Sequence, residues 1–159
     1  MKSVVINLFK SVLHNLGVVV VALAWAYLGR FVDSLLRVST LSSSVLTAFG
    51  VVLLTLGFLI RTWAAVHFYI HRMRVISLEP QNSLVTTGPF RYSRNPLYLG
   101  GNVFCFFGAS LFLGSPSALV LTTLHLPLVN LMISREEKQL ERKFGEEWRA
   151  YKRRVRRWL

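Results

Sequence analysis

Two polar clusters in this 159-residue chain carry side chains that could bind a ligand or take part in catalysis. The first reads Arg-Tyr-Ser-Arg-Asn-Pro-Leu-Tyr over residues 91–98, and the second reads Ser-Arg-Glu-Glu over residues 134–137. Both border apolar segments, where membrane proteins usually keep cations that contact anionic headgroups. The adjacent carboxylates of Glu136 and Glu137 need a positive partner at such a place, and a cationic ligand would supply one.

Each cluster also has a purely structural explanation. Asn95 followed by Pro96 is a good helix start, and Ser134 with Glu137 fits a capping box. Arginines beside an apolar segment often extend only to the headgroups. On these features alone, structural and functional interpretations both stay open.

Small residues lie close to the first cluster. Gly100 and Gly101 follow Tyr98 at the mouth of an apolar segment, where they would let a ligand or another helix approach the backbone. Gly50 and Gly57, which lie inside another apolar segment, are interpreted as helix-packing positions.

The elements that must position these clusters are apolar helices. Hydrophobic residues make up 53% of the chain and the mean hydropathy is +0.46, which favours a bilayer as the solvent. The charge-free windows 11–29, 38–60 and 95–134 are each long enough for the roughly 20 residues that cross a bilayer. The last window is broken by turn-forming residues at 114–117 and therefore predicts a helical hairpin. The fold predicted is all-α, an integral membrane bundle of about four transmembrane helices with spans of about 11–29, 41–60, 97–113 and 117–134.

The loop charges predict the orientation of this bundle. With both termini cytoplasmic, residues 1–10, 61–94 and 135–159 would hold 17 of the 19 Lys and Arg residues. Only Arg30 and Arg37 would then lie outside. Because a hairpin returns to the face it left, the two polar clusters should meet on the cytoplasmic side.

Residues 135–159 form the predicted cytoplasmic tail. Their apolar residues recur every three or four positions, which predicts an amphipathic helix in the membrane interface that Gly145 interrupts. With a cytoplasmic motif loop at residues 71–96, the whole chain 1–159 is expected to form a single domain. The apolar stripe consists of Leu140, Phe144, Trp148, Tyr151, Val155 and Trp158.

Composition excludes several other classes of site. The net charge of +12 flanks apolar segments, so the cations are interpreted as contacts to membrane lipids, with no nucleic-acid partner. A lone Cys105 rules out an intrachain disulfide or a cysteine-based metal site, and no metal is expected. His125, in the middle of the fourth predicted span, is interpreted as a packed residue hydrogen-bonded to a neighbour.

Two separated motifs carry a family resemblance. Residues 84–100 read LVTTGPFRYSRNPLYLG and residues 135–151 read REEKQLERKFGEEWRAY. In this order around a hairpin, they resemble the isoprenylcysteine carboxyl methyltransferase and phospholipid methyltransferase group of membrane enzymes. The resemblance covers about residues 70–159.

The resemblance implies methyl transfer that depends on S-adenosylmethionine, with a lipid or prenylated small-molecule acceptor at the cytoplasmic face. Many members of the group have His where this chain has Asn95, whose amide can hydrogen-bond the cofactor but does not titrate near neutral pH as a general base would. The implied catalytic residues are Arg94 and Glu137, and the implied cofactor-binding residues are Gly88, Pro89, Arg91, Asn95, Pro96, Tyr98, Gly100, Glu136 and Glu137.

Elementary chemistry agrees with this implication. The sulfonium and ammonium of S-adenosylmethionine suit Glu136 and Glu137, and its carboxylate suits Arg94 or Arg91. In-line transfer requires alignment above all, so positioning would supply much of the rate. A carboxylate acceptor needs no base, whereas an amine acceptor has to lose a proton to a glutamate or a water.

Other functions remain open on the sequence alone. The first alternative is a non-catalytic membrane scaffold whose basic tail binds anionic lipid or a partner protein. A small transporter is disfavoured because the spans contain few ionisable groups and no internal repeat. A homodimer is compatible with such short spans.

Overall fold

The computed structural model describes residues 2–70 and 83–159, and its secondary structure is helical throughout that part of the chain. Helix α1 runs Lys2–Leu36, α2 runs Ser44–Ile70, α3 runs Pro96–Phe112 and α4 runs Pro116–Arg154. A short 3-10 turn, Gly88–Arg91, precedes α3, whose middle part, Leu99–Cys105, is π-helical. The predicted all-α membrane bundle is confirmed.

Three of the helices can cross a membrane by length and composition, namely α1, α2 and α4, while α3 is a shorter apolar helix. Their outward surfaces carry large exposed hydrophobic side chains such as Tyr27, Phe31, Val45 and Leu124. Such a surface suits contact with lipid.

Small side chains let the helices pack closely. A Cβ atom added to Gly50 would lie 2.5 Å from the Phe112 nitrogen, and one added to Gly57 would lie 2.5 Å from the Gly100 carbonyl oxygen. The interpretation of Gly50 and Gly57 as packing positions is therefore confirmed. The buried core between α1, α3 and α4 consists of Ala22, Ala26, Cys105, Ala109 and Ala118.

The end of the bundle that carries residues 37–43 and 113–117 is called the hairpin end below. There the buried Asp33 carboxylate accepts a hydrogen bond from the Ser115 hydroxyl at 2.6 Å and from the Ser117 backbone nitrogen at 2.9 Å. The Asp33 side chain thus caps the first turn of α4 and ties it to α1.

The fourth span and the tail differ from their predicted bounds. Helix α4 continues past Ser134, where the predicted span 117–134 ends, into the predicted tail 135–159, because residues 135–144 are mostly strong helix formers. Gly145 interrupts the regular backbone with φ 53°, as predicted, and the helix ends at Arg154. The part of the predicted motif loop at residues 71–82 lies outside the described residues.

A polar contact in the middle of the bundle joins α3 and α4. The His125 ring nitrogen Nε2 lies 3.2 Å from the Asn102 side-chain oxygen, and the imidazole stacks on Phe106. The predicted hydrogen bond from His125 to a neighbour is confirmed, with Asn102 of α3 as the partner.

Candidate active site

The α3–α4 hairpin brings the two polar clusters together. The Tyr98 hydroxyl donates to Glu136 Oε1 at 2.6 Å, and Arg94 Nη2 lies 2.9 Å from Glu137 Oε1. The central expectation from the sequence, that the two clusters meet in space, is confirmed. The end of the bundle where they meet is called the motif end below.

Glu137 lies in a clasp of two arginines. Its carboxylate accepts hydrogen bonds from Arg94 and from Arg157, with Arg157 Nη2 at 2.6 Å from Oε2. The Glu137 and Arg94 side chains are only 6% and 8% exposed, whereas Arg157 is 34% exposed. A buried charge of this kind is stable only when it is paired and hydrogen-bonded. We call Arg94, Glu137 and Arg157 the clasp.

The clasp also fastens the end of the chain over the first cluster. Arg94 donates through Nη1 to the carbonyls of Lys152 and Val155, at 3.1 and 2.9 Å. The Ser93 hydroxyl and the Asn95 side-chain amide both donate to the Arg157 carbonyl. The side-chain amide of Asn95 therefore binds the tail.

Aromatic residues of the tail also pack against the first cluster. Tyr151 donates from its hydroxyl to the Phe90 carbonyl at 2.7 Å, and the Arg94 guanidinium lies 5.9 Å from the centre of the Trp148 ring. Trp148 and Tyr151 are buried against the first cluster, so this part of the predicted apolar stripe contacts protein.

Glu136 differs from its neighbour. Its side chain is exposed, Tyr98 donates to it, and it makes no ion pair with any residue in the described ranges. A carboxylate at a membrane surface without a cation can take one from a ligand.

The pKa values of the two adjacent glutamates are shifted in opposite directions. Both lie just beyond the charge-free part of α4, which ends at Ser134. Partial burial raises the pKa of Glu136 above its usual value, outweighing the lowering effect of the Tyr98 hydrogen bond. Burial also acts to raise the pKa of Glu137, but the hydrogen bonds and charges of Arg157 and Arg94 outweigh it and hold that pKa low.

The turn before α3 is shaped by Gly88 and Pro89. Gly88 has φ +60°, and its Cα faces the His67 imidazole so closely that no Cβ atom would fit. Pro89 is buried at the start of the 3-10 turn, and the ring of Phe90 stacks on Phe68 with centroids 5.1 Å apart. In this structure, Gly88 and Pro89 shape the backbone.

Arg61 of α2 was missed as a site residue from the sequence, where it marked only the edge of a charge-free window. Its guanidinium donates to the Leu97 carbonyl and, at 2.9 Å, to the Asn15 side-chain oxygen. Cβ atoms added to Gly100 or Gly101 would lie 2.7 or 2.6 Å from Arg61 atoms. The two glycines therefore make room for Arg61, and no sequence signal pointed to that contact.

The remaining predicted residues lie nearby but differ in exposure. Pro96 is buried at the start of α3, as a helix-start proline should be. Arg91 is exposed at the end of the 3-10 turn, and it has no ion pair with another described residue. Within the described residues, no group of three or more His, Cys, Asp or Glu side chains could hold a metal ion.

Comparison with known proteins gives one family and one relative. The family model described as phospholipid methyltransferase matches residues 45–147, which is more than half of the chain. An uncharacterised protein from Haemophilus influenzae is 45% identical over 51 residues, covering 31% of this chain and 81% of the relative. No solved structure matches significantly.

Proposed function

Since the chain belongs to the phospholipid methyltransferase family, we propose that it transfers a methyl group from S-adenosylmethionine to a lipid or lipid-modified acceptor. Methyl transfer to lipid-type substrates is the activity that family membership supports. The cofactor, the acceptor and the individual residue roles are the proposal.

The observation that carries the proposal is the Glu136 carboxylate beside Tyr98. It is exposed, it is oriented by a 2.6 Å hydrogen bond, and it has no cation among the described residues. S-adenosylmethionine presents a sulfonium and an ammonium, so the chemistry of this carboxylate fits the cofactor. Glu136 would hold the ammonium, and Tyr98 would fix the direction of the carboxylate.

The clasp supports a positioning role. Four hydrogen bonds already occupy Arg94, and two arginines already surround the Glu137 carboxylate. The contacts of Arg94 and Glu137 thus hold the first cluster against the tail, and direct contact of either with a ligand stays a prediction. Exposed Arg91, which has no ion pair with another described residue, would take the carboxylate of the cofactor.

In the proposed reaction, the residues of the chain mainly position the cofactor and the acceptor. When bound, S-adenosylmethionine supplies an activated methyl group. The residues around it would bind, orient and exclude water, which in-line displacement needs more than acid-base help. A carboxylate acceptor would be held by a cation of the site. An amine acceptor would have to lose a proton, which a glutamate of the site or a water would receive.

The location of the site belongs to the same proposal. The motif end is assigned to the cytoplasmic side because it gathers most of the cations of the chain. The cofactor would then arrive from water and the acceptor sideways from the bilayer. We propose that one domain comprising the whole chain forms this site; a homodimer is compatible with it.

The direct experiment is a calorimetric titration of the purified protein with S-adenosylmethionine, followed by incubation of labelled cofactor with fractionated lipid extracts. We expect heat of binding and label in one lipid fraction. A protein that gives no heat and labels no lipid would refute the proposal. The scaffold function would be favoured instead if binding to anionic vesicles falls steeply with salt and is the same for wild type and Glu136→Gln.

A further inference from the structure

Arg61 is a buried cation inside a membrane-spanning helix. It lies within the apolar helix α2 and is 9% exposed. Ionisable residues at such positions normally pair with an opposite charge or contact a substrate path. In the two described stretches of the chain, Arg61 makes no ion pair.

The hydrogen bonds that Arg61 makes with described residues go to neutral groups. Its Nε donates to Asn15 and its Nη1 donates to the Leu97 carbonyl, while Nη2 lies 3.4 Å from His14 Nε2. A guanidinium has five N–H groups. Among the described residues, the hydrogen bonds therefore use three of the five and leave the positive charge uncompensated.

The position of Arg61 relates it to the candidate active site. It binds the carbonyl of Leu97, the residue directly before Tyr98, and its side chain passes against Gly100 and Gly101. Glu136 approaches the same turn of α3 through the Tyr98 hydroxyl. One turn of α3 thus has a cation on its α2 side and a carboxylate on its α4 side, and neither has an ionic partner among the described residues.

We propose that Arg61 forms an anion subsite that takes a carboxylate or phosphate group of a molecule bound beside Tyr98. The remaining N–H groups of a planar guanidinium suit the paired oxygens of such a group. The uncharged partners Asn15 and Leu97 hold the guanidinium in place without neutralising it. A zwitterionic molecule would match Glu136 through its ammonium and Arg61 through its oxyanion.

This inference rests on the proposed function, and two sources could bring the oxyanion. The cofactor carries a carboxylate at its amino-acid end. A lipid acceptor carries a phosphate or a carboxylate in its headgroup. In both cases the recognised chemistry is the same, so the experiment has to separate the sources.

The cofactor arm compares S-adenosylmethionine with its decarboxylated analogue on the wild-type protein and on Arg61→Met. If Arg61 holds the cofactor, Arg61→Met weakens binding of S-adenosylmethionine by about tenfold or more and leaves the analogue unaffected. The acceptor arm compares a short-chain phosphatidylethanolamine and a fatty acid with an alkylamine that lacks an oxyanion. If Arg61 holds the acceptor, the same loss of about tenfold is seen for an oxyanion-bearing lipid only.

The control is Arg149→Met, which removes an arginine that is 50% exposed on the tail, and all probes should bind it as they bind wild type. Thermal unfolding confirms that each variant is folded. If Arg61→Met does not fold, Arg61→Lys keeps the charge but loses the planar fork, and we expect a loss of about threefold for the same probe.

Three results would overturn the inference. The first is that a folded Arg61→Met binds every probe as wild type does. The second is that Arg61→Lys does the same when the methionine variant is unfolded. The third is that Glu79→Gln, at an acid outside the described residues, reproduces the effect of Arg61→Met. If the wild-type protein does not bind S-adenosylmethionine but binds oxyanion-bearing lipids through Arg61, the proposed function is refuted and the anion subsite is not.

Discussion

The hairpin end and the motif end of this bundle are both held by a buried carboxylate, but their charges are balanced differently. At the hairpin end, Asp33 is 2% exposed and its oxygens accept from the Ser115 hydroxyl and the Ser117 nitrogen. At the motif end, Glu137 is balanced by Arg94 and Arg157. The hairpin end thus fastens two helices with hydrogen bonds from neutral groups.

Among the described residues, the motif end holds charges that no ion pair balances. Beyond the clasp it carries the Glu136 carboxylate and the Arg61 cation, which have no ionic partner among the described residues. Uncompensated charge near a membrane is costly, so it suits a molecule that arrives and completes the pair. At the hairpin end, neutral donors suffice to hold the Asp33 carboxylate. At the motif end, in the proposed function, a bound ligand would supply the partners of Glu136 and Arg61.

Breaking the clasp should have the largest effect on stability. Glu137→Ala would leave Arg94 and Arg157 unpaired, and Arg94 is buried. We expect the free energy of unfolding to fall by about 3–5 kcal/mol. Equilibrium denaturation in mixed micelles measures this, with Glu147→Ala, an exposed glutamate of the same helix, as the matched control. Unchanged stability would show that the clasp does not hold the tail.

Removing the Asp33 hydrogen bonds at the hairpin end should lower the free energy of unfolding by less, and it should leave ligand binding unchanged. Asp33→Ala removes the acceptor of the Ser115 hydroxyl and of the Ser117 nitrogen, which should lower the free energy of unfolding by about 1–3 kcal/mol. Affinity for S-adenosylmethionine should not change. The control is Ser34→Ala at the exposed neighbouring residue. A weakened cofactor affinity in a folded Asp33→Ala protein would break the division between the two ends.

The smallest expected effect is that of Tyr98→Phe. This change removes only the hydroxyl that orients Glu136, so cofactor affinity should fall by roughly fivefold, or about 1 kcal/mol, without loss of stability. Titration calorimetry measures the affinity, and Tyr27→Phe, at a tyrosine that is 72% exposed, is the control. An affinity equal to that of wild type would remove Tyr98 from the site.

The fold was largely predictable from the sequence. Charge-free windows gave the apolar helices, and turn formers at 114–117 gave the hairpin, because the cost of burying charge and exposing backbone in lipid constrains both. The continuity of α4 past Arg135 was not predicted, since the change from apolar to basic residues suggested a boundary that the backbone does not have.

The site was predictable only in part. The motifs brought Tyr98 and Glu136 to one place, and the structure confirms their contact. Arg61 was not found, because a single arginine at the edge of an apolar window gives no sign of the carbonyl it binds on another helix. Arg157 was hidden among the many cations of the tail, although it alone joins Arg94 at the Glu137 carboxylate among the described residues.

The central claim is that Glu136, which has no ion pair among the described residues, takes a cationic ligand, while its neighbour Glu137 is paired with Arg94 and Arg157. Titration of wild type and Glu136→Gln with S-adenosylmethionine, under identical conditions, tests it most directly. We predict that the variant unfolds as wild type does but binds the cofactor at least about tenfold more weakly, the value of a charge-assisted contact. A folded Glu136→Gln protein with unchanged affinity would contradict the claim.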